Sequence, residues 1–217
     1  MEIGIEQDLF ANEAKLAEAN RLFFKERGLA AVNLLAGPGA GKTSLIRRTA
    51  GRCRFPAAVI EGDPASSIDT DLLNSLGIAA FQINTEGGCH LEAEMIGKAL
   101  REFTPAPGTL LFIENVGNLI CTAEFPLGEA LRVVMIGVSE GDDKPFKYPL
   151  IFESADAVIL NKIDLQPFVD FDRDRFYQGI RSLKPELPVF EVSCKTEAGF
   201  GPWVEWLEQR IEAFLHE

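Results

Sequence analysis

An α/β fold with a mainly parallel sheet of about seven strands flanked by helices is predicted by three observations. The stretch Ala36-Gly37-Pro38-Gly39-Ala40-Gly41-Lys42-Thr43 follows a short apolar run and leads into Ser44-Leu45-Ile46-Arg47-Arg48, the strand, glycine loop and helix order of a phosphate-binding P-loop. Near-continuous apolar runs alternate with helical stretches along the chain, as in a parallel sheet covered on both faces. Asn161-Lys162-Ile163-Asp164 directly follows one such run, at the carboxyl edge of the sheet where open α/β folds bind ligands.

Taken in order, residues 7–28 read as a helix: Leu9, Leu16 and Phe23 recur every seven residues beside Phe10, Ala17 and Phe24, with charged residues between them. This stripe suits docking on the sheet; a share in a dimer surface is the alternative. Gly28 ends the helix and Ala31 to Leu35 opens the sheet. Further strands are expected at Ala57 to Ile60, Ala79 to Ile83, Leu110 to Ile113, Leu131 to Val138, Ala157 to Leu160 and Val189 to Val192. Between and after them, helices are expected at Asp71 to Leu76, Leu91 to Phe103, Lys147 to Phe152, Asp172 to Leu183 and Trp203 to Phe214. Trp203, Leu207, Ile211 and Phe214 follow helical spacing as core anchors of the last helix. A length of 217 residues fits one domain, 1–217, with residues 1–30 as a helical extension.

The net charge of −12 argues against sequence-independent binding to nucleic acid or an anionic membrane. No apolar segment reaches membrane-spanning length, and the acidic start Met1-Glu2-Ile3-Gly4-Ile5-Glu6 lacks the basic and apolar regions of a signal peptide, so a cytoplasmic location is expected. The four cysteines, Cys53, Cys89, Cys121 and Cys194, are few and irregularly spaced, which implies no disulfide framework and leaves thiols for metal.

In the P-loop, Gly37, Gly39 and Gly41 with Ala40 let backbone N–H groups converge on phosphate oxygens. The following helix start favours anions, Lys42 neutralises charge, Thr43 ligates Mg²⁺ and Ser44 continues the cradle. Ala36 departs from the strict G-x-x-x-x-G-K-[ST] pattern at its first glycine. Asn161-Lys162-Ile163-Asp164 resembles the guanine-reading N-K-x-D motif of GTPases. Asp164 then accepts from the N1 and 2-amino donors of guanine, Asn161 braces the site and Lys162 packs its stem on the base, while Ser193-Cys194-Lys195 resembles the loop that completes the guanine pocket.

Two carboxylates, Asp63 and Glu114, follow strands near the phosphate end and suit Mg²⁺ or its waters, although either could simply cap a turn. Asp69 is a weaker candidate for orienting the attacking water. With only His90 and His216 in the chain, no obvious histidine base is available. Phosphoryl transfer rests mainly on positioning and electrostatics, so Lys42, Asp63 and Glu114 form the expected catalytic set and intrinsic turnover should be slow.

Gly87-Gly88-Cys89-His90-Leu91 places a thiol beside an imidazole at an expected helix start, and Cys121 follows Glu114 by seven residues. Cys with His suits Zn²⁺, Ni²⁺ or a similar ion, and three ligands leave an open position. Spacing alone leaves metal ligation and ordinary buried thiols both open.

Glu61-Gly62-Asp63, Gln82-Ile83-Asn84-Thr85, Gly88-Cys89-His90-Leu91, Ile113-Glu114-Asn115-Val116-Gly117-Asn118-Leu119, Cys121, Glu140-Gly141-Asp142-Asp143-Lys144-Pro145 and Asn161-Lys162-Ile163-Asp164-Leu165 together resemble the hydrogenase nickel-incorporation GTPases, the HypB family. The resemblance covers roughly residues 30–210. It implies a SIMIBI-type metallochaperone GTPase, related to the urease accessory GTPase UreG, that binds GTP or GDP with Mg²⁺, dimerises with GTP and assists nickel insertion into [NiFe]-hydrogenase. It carries Ni²⁺ or Zn²⁺ binding onto Cys89, His90 and Cys121, phosphate binding onto Gly39 to Ser44, and Mg²⁺ contacts onto Thr43, Asp63 and Glu114. Implied partners are a second copy of the chain, a nickel-delivery protein such as HypA and a hydrogenase large-subunit precursor. The N-terminal cysteine motif of some members and a histidine-rich tract are absent from this sequence, and Thr122 follows Cys121 where many members have proline; metal storage is therefore not expected. Two other classes compete: a P-loop small-molecule kinase, against which Asp164 argues, and a structural zinc protein with static nucleotide.

Overall fold

A computed structural model describes residues 5–63 and 66–216, with side chains from residue 11 onward. Met1 to Gly4 and the side chains of Leu9 and Phe10 lie outside the described residues. Seven strands form one sheet: β1 (Ala30–Ala36), β2 (Ala57–Asp63), β3 (Ala79–Asn84), β4 (Leu110–Glu114), β5 (Leu131–Gly137), β6 (Ala157–Asn161) and β7 (Val189–Glu191). Their order is β3-β2-β4-β1-β5-β6-β7 and every pairing is parallel. β1 lies between β4 and β5, so consecutive strands diverge to either side of it, and a ligand crevice opens at its carboxyl end.

The helices are α1 (Ile5–Glu26), α2 (Lys42–Ala50), α3 (Ile68–Ser75), α4 (Ala93–Glu102), α5 (Cys121–Glu124), α6 (Lys144–Lys147), α7 (Pro149–Glu153), α8 (Arg173–Leu183) and α9 (Phe200–His216). None among the described residues is long and apolar enough to cross a membrane. Burial of β1 from both sides explains its apolar run: Val32, Leu34 and Ala36 pack with Leu45, Trp203, Leu207 and Ile211, while Ala31 faces Phe24 and Ile96, and Leu35 faces Ile151 and Phe152. α1 ends as expected at Gly28, whose φ of 61° is left-handed. Gly28 N–H donates to Lys25 O at 3.1 Å and Leu29 N–H to Phe24 O at 2.8 Å, the paired bonds of a glycine-closed helix.

Element limits differ where proline or polar turns intervene. The helix expected at Lys147 to Phe152 is two short helices, α6 and α7, because Pro149 restarts the chain after Tyr148, whose φ of −130° and ψ of 57° are not helical. α3 begins three residues before the expected Asp71. α5 and two 3₁₀ turns, at Val138–Glu140 and Ile163–Phe168, are too short to show a period in sequence.

Trp203 is fully buried and its indole N–H donates to Thr49 Oγ1 at 2.9 Å, so α9 is pinned to α2 by packing and by a hydrogen bond. Trp203→Ala is expected to cost about 3–5 kcal/mol of stability. Urea denaturation at unchanged m-value measures it, with Trp203→Phe losing less because most of the volume stays.

Candidate functional site

β1 delivers the chain to the glycine loop with Ala36 as its last residue, fully buried and in register with Met135 of β5. The missing first glycine of the P-loop pattern therefore falls in ordinary strand, where a Cβ is accommodated. The glycines that matter are Gly39 and Gly41, at φ 74° and 106°. A Cβ on Gly41 would also sit 2.8 Å from Asn161 Nδ2. That amide donates to Ala40 O at 2.9 Å, while Lys162 Nζ donates to Gly39 O at 2.7 Å. Asn161 and Lys162 thus hold the loop from the end of β6.

Asn161 Oδ1 accepts from Cys194 N–H at 3.2 Å, Ser193 Oγ donates to Asp164 Oδ1 at 2.5 Å, and Thr196 N–H donates to Ser193 Oγ at 3.1 Å. Burial pushes the Cys194 thiol up to about 11, so its backbone amide rather than its sulfur serves the site. A cleft of about 530 Å³ opens between these loops, lined by Ser44, Arg47, Lys162, Asp164, Leu165 and Lys195 among others. Gly39, Ala40, Gly41 and Ser44 thus meet Asn161, Lys162, Asp164, Ser193, Cys194 and Lys195 through these bonds and this cleft, whereas a Cβ on Gly37 would meet Glu140 Oε2 at 2.8 Å.

At the phosphate end, Thr43 Oγ1 donates to Glu114 Oε1 at 2.9 Å. Glu114 is buried and its Oε2 has no hydrogen-bond partner among the described residues. A buried carboxylate oxygen left unpaired beside a hydroxyl fits a hard divalent cation, which takes oxygen ligands. Asp63 ends β2 and also caps the next turn, its Oδ1 accepting from Ser66 N–H at 2.6 Å. Burial raises the carboxyls of Glu61 and Glu114, and Asp69, in the first turn of α3, adds a smaller push in the same direction. Glu61, passed over as a site residue in the sequence, lies in register with Glu114, is buried, and accepts a hydrogen bond from Thr70 Oγ1.

Ligand atoms of Cys89, His90 and Cys121 all lie within 4.8 Å of one another. The His90 ring stacks on Phe125 with centroids 4.0 Å apart, its Nδ1 is 3.5 Å from Cys89 Sγ, and its buried Nε2, 3.9 Å from Glu92 Oε1, has no hydrogen-bond partner among the described residues. A hydrogen bond with Cys121, reinforced by burial, raises the Cys89 thiol. Two thiols and an imidazole nitrogen form a donor set suited to a soft or borderline divalent ion, which would replace the shared proton. One expectation is corrected: Cys89 and His90 are not at a helix start. α4 begins at Ala93, and the pair sits in a loop turned by Gly87 at φ 91° and by Thr85, whose carbonyl accepts from Gly88 N–H at 2.8 Å. Cys121 does open a helix, α5, and Asn118 folds that turn by accepting from Ile120 and Cys121 N–H at 2.7 and 3.1 Å.

Residues 31–191 match the family model described as CobW/HypB/UreG, nucleotide-binding domain. The chain is 46% identical over 211 residues to the hydrogenase maturation factor HypB of Azotobacter vinelandii, covering 96% of this chain and 69% of that protein. It is 41% identical to HypB of Escherichia coli (strain K12), covering 95% and 72%. The chain belongs to the HypB family. Among solved structures, HypB from Helicobacter pylori in complex with nickel superposes with a TM-score of 0.89 at 35% identity, covering 93% of this chain and 96% of that one. HypB from Archaeoglobus fulgidus gives 0.85 at 39% identity, covering 93% and 99%.

Within this HypB-type fold the electrostatic outlier is Glu114. Burial pushes its carboxyl up to about 7, against the opposing pull of Lys42 and the Thr43 hydrogen bond. A carboxyl raised in the folded state makes stability fall as pH rises from its ordinary value to the raised one, and the penalty is constant above that. Glu114→Gln removes the charge and keeps an acceptor for Thr43. In EDTA without nucleotide, the variant is expected to be more stable than the parent by about 3 kcal/mol at pH 8, with the gap closing towards pH 4.5. Denaturation midpoints across that range check both size and sign.

Proposed function

We propose that this chain is a GTP-hydrolysing metallochaperone of nickel insertion into [NiFe]-hydrogenase, one GTPase unit in which α1 is a helical extension. The observation that carries the reading is the short segment from Glu114 to Cys121. Its first residue bonds Thr43 of the P-loop, its middle residue Gly117 lies so close to Pro38 that a Cβ would be 3.1 Å from Pro38 Cα and N, and its last residue supplies a thiol to the Cys/His cluster. The nickel complex of the Helicobacter pylori relative supports nickel as the cargo.

In this reading Asp164, aligned by Ser193, selects guanine, and the 193–195 loop closes the base cleft. Lys42 and the loop amides of Gly39 to Ser44 neutralise and orient the phosphates, and Thr43, Asp63 and Glu114 hold Mg²⁺ and its waters. Mg²⁺ supplies charge neutralisation for the transferred phosphoryl group. Cys89, His90 and Cys121 hold Ni²⁺ or Zn²⁺ with a position left for a partner's ligand. GTP favours a homodimer, and hydrolysis releases metal towards a hydrogenase precursor, with a HypA-like protein as the source. The driving force is the difference in contacts between the two nucleotide states.

Titrating Ni²⁺ and Zn²⁺ in the GDP and GTP-analogue states, while oligomeric mass is measured, tests this directly. Ni²⁺ affinity should change between the states and GTP-analogue affinity should change reciprocally, by about 1–3 kcal/mol. Cys121→Ala should abolish that reciprocity and spare guanine binding. Metal binding through Cys121 with neither affinity nor mass altered would make the site a static structural one. For the base, Asp164→Asn should weaken GTP binding and improve xanthosine triphosphate binding, because discrimination built on polar pairing reaches roughly 10⁴-fold. Equal binding of ATP and GTP by the parent protein would remove the assignment.

A further inference from the structure

Asn33 is a fully buried polar residue in the middle of the apolar strand β1, and Asn115, also buried, directly follows Glu114. Their amides are joined: Asn115 Nδ2 donates to Asn33 Oδ1 at 3.3 Å, and Asn33 Nδ2 donates to Glu129 Oε1 at 3.2 Å. Glu129 is fixed in turn by Arg132 Nε at 2.6 Å and by Leu127 N–H at 2.7 Å. The chain of bonds clamps the Asn115 side chain in one orientation, with its oxygen pointing away from β1.

That oxygen serves two segments at once. Asn115 Oδ1 accepts from Val116 N–H at 2.9 Å and from Leu91 N–H at 3.1 Å. Val116 begins the run that leads past Pro38 to Cys121, whereas Leu91 ends the loop that carries Cys89 and His90. Leu91 is fully buried and its side chain fills the space beside Gly62, where a Cβ would be 2.7 Å from Leu91 Cγ and Cδ2. Gly62 lies between Glu61 and Asp63. The residue after the imidazole is therefore bonded to the neighbour of one proposed Mg²⁺ carboxylate and packed on the neighbour of the other.

We infer that Asn115 is the positioning residue that couples the phosphate end of the site to the Cys89–His90 half of the metal cluster, through the acceptor it shares between Val116 and Leu91. The inference rests on the nucleotide-switched metal site proposed above and adds a second route to it. The covalent run to Cys121 reaches one ligand; Asn115 reaches the other two. A displacement of Val116 changes the geometry of the oxygen that Leu91 needs, and a buried N–H that loses its acceptor carries a large penalty, so the two segments move together.

The test is the ratio of Ni²⁺ dissociation constants in the GDP and GTP-analogue states, measured by chelator competition on the full chain. A uniform loss of affinity cancels in this ratio, so general structural damage does not move it. The parent protein should show a ratio of about 5- to 150-fold in either direction, the ordinary range of such couplings. Asn115→Ala should bring the ratio to within about twofold of unity, and Asn115→Asp, which keeps the shared acceptor but loses the donor to Asn33, should retain part of the parent's coupling. Should Asn115→Ala not fold, the parent protein alone decides: exchanging GDP for a GTP analogue in chelator-treated protein should shift the Leu91 amide resonance and alter its hydrogen exchange. A parent ratio of unity overturns the switched-site reading and this inference with it. A coupled parent with full coupling in Asn115→Ala, or a Leu91 amide indifferent to nucleotide, overturns this inference alone.

Discussion

Glu114 is held at the end of the interior strand β4, walled by β1 and β2, with one oxygen bonded to Thr43 and the other without a hydrogen-bond partner among the described residues. Such a carboxylate costs free energy unless a cation arrives, so the fold must supply its stabilisation elsewhere, in the strands buried on both faces and in the packing of α9 on α2. A P-loop without this carboxylate would still bind phosphate through its amides. A cation held there, as proposed above, would make the phosphate end responsive to what occupies it and give the segment that follows Glu114 something to respond to.

The thiol and imidazole donors come from two loops, and neither loop alone makes a site. Cys89 and His90 are neighbours in sequence with ligand atoms that cannot enclose an ion, and Cys121 closes the set from the start of α5. An ion bound there bridges the loops, so its affinity depends on their relative placement. A closed set of four ligands on one rigid element would lack that dependence. Three donors from two segments anchored at the same strand end suit a cargo that must be released.

Much of this was legible in the sequence because the signals are local. Seven strands could be placed because the strands buried on both faces are mostly apolar and the half-buried β3 and β7 still carry short apolar runs. The P-loop and Asn161-Lys162-Ile163-Asp164 were legible because backbone geometry and ligand chemistry demand particular residues at fixed spacing. Their mutual support was not: the bonds from Asn161 and Lys162 to the carbonyls of Ala40 and Gly39 join residues about 120 positions apart. Ala36 looked like a defect because the pattern does not say where the strand ends. The pair Cys89 and His90 was expected at a helix start because the apolar period of α4 runs back to Leu91, whose burial serves Gly62 rather than the helix.

Asn33 and Asn115 show the opposite case. In a strand read by its apolar run, a single asparagine is indistinguishable from noise, and the amide after a strand-ending glutamate suggests only a turn. Their value is created by the sheet, which sets β4 beside β1 and stacks Asn115 over Asn33 in the interior. Burying two amides and a carboxylate there is favourable only because each finds a partner, in a chain that ends on Arg132. An apolar pair would pack as well and leave the Leu91 and Val116 amides without their common acceptor. The polar chain thus sits where the loop of Cys89 and His90 and the segment to Cys121 meet the same strand end, and its specificity lies in which backbone groups it satisfies.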